Sequence, residues 1–332
     1  MILEALRIGS ISAEAGTKRT GFFKVLELQD GSPVAYPLIL INGQREGPIL
    51  YTGAAFHGDE VNGVESIRRI TNEISPEEIA GAIIAVSIQN PLAFHAGNRL
   101  PINQIVRSPI DEMPADMHSI FPGKIDGNTF EMMVHRLYND VISRADYVID
   151  MHQPTTGAKY VPIAFTSLSG NKDTVEKSED LARAFGTDFV VKTSRGGYAK
   201  KGNMHVYAAL SGIPSIMVEL GEGGRLEEEY IQIGVRGINN VLKHLGMIDG
   251  KPEPTKQITI KEMIDVRAHE SGILLYEMDL GQKVSKGDLV AKIVNPIGHE
   301  IESITSPVAG ILLRKTTFPT IISGERVAVF GI

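Results

Sequence analysis

Short apolar runs alternate with amphipathic helical patterns through much of this 332-residue chain, and that alternation limits the possible fold most strongly. Runs typical of buried strands lie at residues 34–41, 49–55, 81–88, 146–151, 161–166, 188–191 and 215–220. The three-to-four-residue apolar spacing of helices occurs at residues 63–74, 127–145, 173–185 and 226–245. Strands separated by helices predict an α/β domain with a mixed, mostly parallel sheet flanked by helices on both faces.

The pattern changes near residues 249–254, where turn formers and charged residues predict a linker. Residues 257–332 lose the helical spacing and consist of short alternating segments separated by glycines. We therefore expect two domains. An α/β domain covers residues 1–250, and a small all-β domain of the barrel-sandwich type covers residues 256–332.

The composition excludes several classes of function. A formal net charge of −7 and the lack of any Lys/Arg run argue against binding to nucleic acid. Because the chain has no cysteine, it has no thiolate nucleophile, and any metal must be bound by His, Asp or Glu. The N-terminus lacks the apolar core of a signal peptide, and no window approaches the roughly 18 uncharged apolar residues of a membrane helix. We expect a soluble, cytoplasmic protein that contacts neither nucleic acid nor membranes.

The strongest candidate for a metal site is the segment from Phe56 to Gly63, which reads Phe-His-Gly-Asp-Glu-Val-Asn-Gly. It connects a predicted strand to a predicted helix. His57 and Glu60 reach one cation if the chain leaves the strand at His57 and Glu60 lies in the first turn of the helix. Gly58 permits such a sharp exit from the strand.

The pattern His-x-x-Glu is short, and alone it also fits a solvated histidine and glutamate near a turn. A second copy runs from His299 to Glu302. That copy lies in an alternating segment typical of a strand, where residues three positions apart point to opposite faces and cannot share an ion. The surrounding strand, glycine and helix therefore favour the first copy as the metal site.

A catalytic zinc site has three protein ligands and an open position for water, so a third ligand is required. His152 follows the predicted strand at residues 146–151, and ligands of α/β sheets gather at the carboxyl ends of strands. A structural histidine fits this position equally well. Hydrolysis also needs a base, and Glu219 is the candidate at the end of a third strand. Glu219 also fits a rim carboxylate or a helix N-cap, and Glu222 is the competing candidate for the base.

These segments, in this order, resemble the succinylglutamate desuccinylase and aspartoacylase family, a branch of the zinc carboxypeptidase-like hydrolases. The matching landmarks are Phe-His-Gly-Asp-Glu at residues 56–60, Asn90-Pro91 with Arg99, residues 116–123, Asp-Met-His at residues 150–152 and Glu-Leu-Gly at residues 219–221. The resemblance implies a zinc carboxypeptidase-like α/β fold. Together these landmarks are far more specific than any one of them.

The resemblance implies one zinc ion per chain, held by His57, Glu60 and His152. It implies that Glu219 is the general base and acid. Arg99 is then the residue that polarises the scissile carbonyl, a role that suits a fixed cation beside a developing oxyanion. Without the resemblance, Arg99 would be interpreted as a surface arginine.

Asp116 matches the aspartate that orients the first zinc histidine in the family. The chain departs from the family just after it: the common Asp-x-Asn-Arg-x-Phe-Pro-Gly is replaced by Asp-Met-His-Ser-Ile-Phe-Pro-Gly at residues 116–123. His118 and Ser119 thus stand where relatives have an Asn-Arg pair that grips a substrate carboxylate, and they cannot reproduce a bidentate guanidinium. We assign His118 and Ser119 to the substrate-binding region. Arg195 is a candidate for the missing charge, although an exposed loop arginine fits as well.

Residues 272–274, 281–288 and 306–310 resemble a biotinyl or lipoyl carrier domain. A carrier needs a lysine on the hairpin before the last of these segments, where this chain has His299. We therefore expect neither biotin nor lipoate. The domain is interpreted as a structural cap or as a contact in a homo-oligomer.

The residues and the resemblance together predict a zinc-dependent amidohydrolase that cleaves the amide bond of a small N-acyl amino acid or related N-acyl compound. A deacetylase of an N-acetyl-diaminobutyrate-like substrate is the narrower expectation. One alternative is a metallocarboxypeptidase acting on peptides, against which the loss of the Asn-Arg pair argues. The other is a non-catalytic binding or scaffold protein with a vestigial metal site. Two histidines and a carboxylate suit zinc best, but they admit other divalent ions.

Overall fold

A mixed β-sheet runs through the computed structural model, which describes residues 4–101, 116–192 and 196–332. The strands of the α/β part are β1 (Leu6–Ile8), β2 (Ile11–Ala13), β3 (Thr17–Glu27), β4 (Pro33–Asn42), β5 (Arg45–Ala54), β6 (Ala80–Val86), β7 (Tyr147–His152), β8 (Ala158–Thr166), β9 (Phe189–Val191) and β10 (Ser215–Glu222). The helices are α1 (Asn62–Glu73), α2 (Pro91–Ala96), α3 (Thr129–Asp140), α4 (Lys172–Phe185), α5 (Met204–Leu210) and α6 (Glu228–His244).

The central strands lie in the order β8-β10-β7-β5-β6-β4-β3. β10, β7, β5 and β6 are parallel to one another, whereas β8 and β4 pair antiparallel on either side of them. Apolar side chains of α2, α3 and α5 fill a core on one face of the sheet, and those of α1, α4 and α6 fill a core on the other. Both faces are therefore buried, and the predicted α/β architecture with its mixed sheet is confirmed.

Every predicted strand and helix of this part is present, with bounds that shift by a few residues. The strands β1 to β3 and the short helices α2 and α5 were not predicted. α2 spans fewer than two turns, and its boundaries depend on local contacts: the Asn90 side chain accepts a hydrogen bond from the Ala93 N–H, and Gly97 ends the helix with a left-handed backbone. Such a short element gives little apolar periodicity to detect.

The C-terminal segment is all-β, as predicted, and its strands pair mainly antiparallel. Its strands are β11 (Ile258–Ile260), β12 (Met263–Arg267), β13 (Gly272–Tyr276), β14 (Lys283–Val284), β15 (Leu289–Val294), β16 (Glu300–Thr305), β17 (Gly310–Thr316), β18 (Thr320–Ile321) and β19 (Arg326–Gly331). β16, β15, β13 and β18 make a separate four-stranded sheet, and the segment has an apolar core of its own.

The C-terminal strands also extend the central sheet. β17 pairs antiparallel with β8, β19 and β12 follow beyond β17, and β11 pairs parallel with β9. A further apolar cluster joins residues of β8 and β9 to Ile260, Ile311 and Leu313. This pairing brings C-terminal residues to the edge of the α/β part, and the division into two domains stays a prediction.

Among the described residues, no helix combines the length and the apolar character that crossing a membrane requires.

Candidate active site

The candidate site lies at the carboxyl ends of three neighbouring parallel strands. β5 ends three residues before His57, β7 ends at His152, and Glu219 of β10 is aligned with His152 in the strand register. Because parallel strands end at the same edge of a sheet, side chains that are far apart in sequence meet there. The predicted placement of His57 and His152 at strand ends is confirmed, whereas β10 continues for three residues beyond Glu219, which lies level with His152.

The turn that carries His57 and Glu60 packs closely against the end of α2. A Cβ atom on Gly58 would lie 1.9 Å from the carbonyl oxygen of Ala93, so only glycine fits there. α1 begins at Asn62, so Glu60 lies in the turn before the helix and the expectation that it lies in the first helical turn is wrong. The backbone N–H of Asn62 donates to Gln153 Oε1 at 2.5 Å, which fixes this turn to the loop after β7.

Two imidazole nitrogens converge on one buried carboxylate. His57 Nδ1 lies 2.5 Å from Glu60 Oε1, and His152 Nδ1 lies 2.8 Å from Glu60 Oε2. Both oxygens of the Glu60 carboxylate therefore face an imidazole nitrogen. One ligand atom from each of the three residues lies within 4.8 Å of the other two. Two nitrogens and one oxygen in this arrangement can hold a divalent metal ion.

Each of the two histidines contacts a second carboxylate through its other ring nitrogen. His57 Nε2 lies 2.9 Å from Asp116 Oδ2, and His152 Nε2 lies 2.9 Å from Asp150 Oδ2. A proton on each Nε2 leaves the lone pair of Nδ1 directed at the metal position. Sequence reasoning gave no such role to Asp150. The available signal was its position two residues before His152 in a strand, which puts both side chains on one face.

The charges of the site favour a cation. Burial opposes protonation of His152, but Asp150 and Glu60 outweigh it and hold the pKa of His152 well above its usual value. Burial likewise opposes charge on His57, and Glu60 and Asp116 nevertheless raise its pKa. In turn, the two imidazoles lower the pKa of Glu60 to about 2 against the effect of burial. Excess negative charge at these ligands is what a bound metal cation would neutralise.

Glu219 faces the same cleft as the three candidate ligands. Its Oε1 lies 3.4 Å from the hydroxyl oxygen of Tyr198, and its Oε2 has no hydrogen-bond partner among the described residues. Burial, together with the charge of Glu60, raises the pKa of Glu219 to about 7. A carboxyl group with that pKa can both accept and return a proton near neutral pH. The competing candidate, Glu222, accepts a hydrogen bond from Thr317 Oγ1 at 2.7 Å, and it does not line the cleft that the described residues form.

Arg99 extends over the candidate ligands from the rim of the cleft. Its Nη1 lies 3.3 Å from Glu60 Oε1, and its Nη2 lies 3.4 Å from Asp116 Oδ2. The side chain is 40% exposed. The guanidinium therefore stands beside the metal position and open to a bound molecule.

His118 and Ser119 line the cleft, but they also make contacts within the protein. His118 is buried, with its Nε2 3.1 Å from Asp150 Oδ2 and its ring centroid 4.5 Å from that of His152. Burial lowers the pKa of His118, so the ring is neutral at pH 7. The Ser119 hydroxyl donates to the backbone oxygen of Asp116 at 2.8 Å. The predicted substrate-binding role of both residues stays a prediction, and Arg195 lies outside the described residues.

The cleft has a volume of about 620 Å³, and both parts of the chain line it. The α/β part contributes the residues above together with Tyr160 and Tyr198, and the C-terminal segment contributes Glu262, Met263, Asp265, Arg314 and Arg326. Sequence reasoning found none of the C-terminal residues. They reach the cleft through the pairing of β17 with β8 and of β11 with β9, which leaves no mark on local spacing.

Comparison with known proteins agrees with this geometry. The family model of the succinylglutamate desuccinylase/aspartoacylase catalytic domain matches residues 46–245, which are more than half of the chain. N-alpha-acetyl-L-2,4-diaminobutyric acid deacetylase of Halomonas elongata is 24% identical over 337 residues, which cover 97% of this chain and 94% of that protein.

Solved structures share the fold over almost the whole chain. The product-bound structure of the ectoine utilization protein EutE (DoeB) from Ruegeria pomeroyi is 26% identical, covers 95% of both chains and has a TM-score of 0.84. A succinylglutamate desuccinylase from Silicibacter sp. TM1040 is 23% identical, covers 98% of this chain and 99% of that one, and has a TM-score of 0.85.

Proposed function

The chain belongs to the succinylglutamate desuccinylase/aspartoacylase family and is an amidohydrolase of the deacylase class; from that premise we propose that it uses zinc to hydrolyse the amide bond of a small N-acyl amino acid. One observation carries the proposal: His57 Nδ1 and His152 Nδ1 converge on the carboxylate of Glu60. The second nitrogen of each ring contacts an aspartate, which is the outer arrangement common around zinc-binding histidines.

In this proposal His57, Glu60 and His152 hold the metal. When bound, zinc supplies Lewis acidity, which makes water a better nucleophile near neutral pH and polarises a carbonyl group. Two nitrogens and one carboxylate oxygen are a common donor set of catalytic zinc. The ion is proposed as zinc on that basis.

Glu219 is the proposed general base and acid. Its carboxylate takes a proton from the attacking water as the new C–O bond forms, and it delivers a proton to the amine nitrogen as the C–N bond breaks. Its burial and its unpartnered Oε2 support this role, because both keep the oxygen available for a proton. Arg99 is the proposed donor to the developing oxyanion, since its guanidinium stands beside the ligands and remains partly exposed.

The name of the Halomonas elongata relative supports an N-acetylated diamino acid as the substrate, because the alignment covers nearly all of both chains. Nα-acetyl-L-2,4-diaminobutyrate is therefore the first compound to test. N-acetyl-L-aspartate and N-succinyl-L-glutamate represent the two activities in the family name. An N-blocked dipeptide tests the metallocarboxypeptidase alternative.

The deciding experiment measures release of the free amine from these compounds by the zinc-loaded wild type, Glu219→Gln and Glu222→Gln. We expect Glu219→Gln to lower kcat by about 10²- to 10⁴-fold with zinc content unchanged. Glu222→Gln is the matched control in the same strand and should retain activity. Equal activity of all three proteins would refute the role of Glu219. Lack of turnover of every N-acyl compound would refute the deacylase proposal, and faster cleavage of the dipeptide would favour the peptidase.

A further inference from the structure

Arg314 is a buried cation that the proposed chemistry leaves without a task. It lies in β17, lines the cleft and is only 8% exposed. Among the described residues, no carboxylate lies within 4.0 Å of its guanidinium, and its Nη1 has no hydrogen-bond acceptor. Removing a charge from water without a partner is unfavourable, so a buried and unpaired arginine indicates a missing anion.

The other guanidinium groups of the cleft have partners. Arg99 lies 3.3 Å from Glu60, and Nη2 of Arg326 lies 2.7 Å from Asp265 Oδ2. Each of these two guanidinium groups thus has a carboxylate partner, although Nε of Arg326 has no acceptor among the described residues. Within the described part of the cleft, Arg314 is therefore the buried arginine that lacks a carboxylate partner.

The strand pairing places Arg314 next to the tyrosines that line the same cleft as the proposed base. Arg314 is opposite Tyr160 in the register of β17 and β8. The hydroxyl oxygen of Tyr198 lies 3.2 Å from that of Tyr160 and 3.4 Å from Glu219 Oε1, so two phenols lead from the strand beside Arg314 to the proposed base. Burial raises the pKa of Tyr160 and Tyr198, and the charge of Arg314 partly opposes this, which agrees with a guanidinium close to both hydroxyls.

We propose that Arg314 binds the carboxylate of the substrate, so that a residue of the C-terminal β segment selects N-acyl amino acids over N-acyl amines and amides. The inference rests on the proposed function. A guanidinium offers two parallel N–H donors to a carboxylate, which gives orientation as well as attraction. In an Nα-acyl amino acid only Cα separates the carboxylate from the amide nitrogen, so a carboxylate held by Arg314 also restricts the position of the amide relative to Glu219. The C-terminal segment is then part of the binding site as well as of the fold.

The test compares two ligands that differ only in charge: Nα-acetyl-L-2,4-diaminobutyrate and its carboxamide. Calorimetric titration in the zinc-loaded Glu219→Gln background gives affinities without turnover, and kcat/KM is measured in parallel with Glu219 intact. We expect the wild type to prefer the carboxylate, and Arg314→Met to lower that preference by about 10- to 100-fold while the carboxamide changes little. Arg314→Lys keeps the positive charge but lacks the two parallel N–H donors, so its preference for the carboxylate should lie between those of the wild type and Arg314→Met.

Lys315→Met is the matched control. Lys315 is the next residue of the strand, points to the opposite face, and lies 3.9 Å from Asp279. It should retain the preference for the carboxylate. The thermal unfolding midpoint and the zinc content of every variant establish that the fold is intact, and Arg314→Lys decides if Arg314→Met does not fold.

A wild type without preference for the carboxylate would overturn the inference, as would an Arg314→Met variant that keeps the preference or loses affinity for both ligands equally. The two proposals fail separately. A carboxylate preference that depends on Arg314, in a protein that hydrolyses none of the N-acyl compounds named above, would refute the proposed hydrolysis of N-acyl amino acids and retain the carboxylate site. Hydrolysis of the substrate by a protein whose carboxylate preference does not depend on Arg314 would refute the carboxylate site and retain the proposed hydrolysis.

Discussion

Asp150→Asn removes one negative charge behind His152 and leaves the volume of the side chain almost unchanged. Asp150 is fully buried; its Oδ2 lies 2.9 Å from His152 Nε2 and 3.1 Å from His118 Nε2, and its Oδ1 accepts a hydrogen bond from Gln89. Burial opposes ionisation, but the two imidazoles hold the pKa of Asp150 far below its usual value, so the group is an anion. The substitution therefore removes the charge that orients His152 and raises its basicity.

Loss of such an outer partner costs about 10- to 100-fold in metal affinity, or roughly 1.4–2.7 kcal/mol. The loss of metal affinity in Asp150→Asn should be about 100-fold, because Asp150 has no exposed surface and its charge acts in a low dielectric. Asp116→Asn is the matched comparison behind His57. The Asp116 side chain is 28% exposed, so water screens its charge and the loss of metal affinity should be about 10-fold.

Competition with a chromophoric chelator measures the zinc affinity of both variants and of the wild type. Saturating zinc should restore most of the activity of Asp150→Asn, because the three ligands are still present. An unchanged affinity in Asp150→Asn, or a larger loss in Asp116→Asn, would refute the assigned arrangement of ligands and outer carboxylates.

Three further changes test the turn, the loop contact and the proposed base. Gly58→Ala places a Cβ atom 1.9 Å from the carbonyl oxygen of Ala93, and urea denaturation should show a loss of about 1–3 kcal/mol; an unchanged stability would contradict the close approach. Asp59→Ala removes the acceptor of two hydrogen bonds from Thr156, and the same assay should show a loss of about 1–3 kcal/mol, with a control Asp59→Asn losing less. In metal-free protein the pKa of Glu219 is about 7 when folded and lower when unfolded, so its ionisation destabilises the fold as the pH rises. Glu219→Gln should therefore raise stability by up to roughly 3 kcal/mol at pH 8 and hardly at all at pH 4, and a gain of equal size at both values would contradict the shift.

The residues of the site that lie near the carboxyl ends of strands could be predicted from the sequence. His57, His152 and Glu219 each come at or just after an apolar run, and parallel strands bring such positions to one edge. The family resemblance then favoured a catalytic role for these residues over the alternatives, a structural histidine and a rim or N-cap carboxylate. The position of Glu60 before the helix could not be predicted, because it depends on the contact between the backbone of Asn62 and Gln153.

The contribution of the C-terminal segment could not be read from the sequence. Its strands were predicted from alternation, which says nothing of the partner that each strand finds. The pairing of Arg314 with Tyr160 joins residues far apart in the chain, and it is this pairing that carries a cation into the cleft. Asp150 is a different case: its position two residues before His152 was visible, but a buried strand position gives no sign of whether an aspartate is paired.

The most direct test of the account is the zinc content of the purified protein after loading and gel filtration, measured beside His57→Ala and His299→Ala. His299 begins the second His-x-x-Glu segment and serves as the control, because it is exposed and belongs to no group of potential metal ligands found among the described residues. We expect about one zinc per chain in the wild type and in His299→Ala, and its loss in His57→Ala. A wild type that retains no zinc, or a His57→Ala variant that retains it fully, would contradict the account.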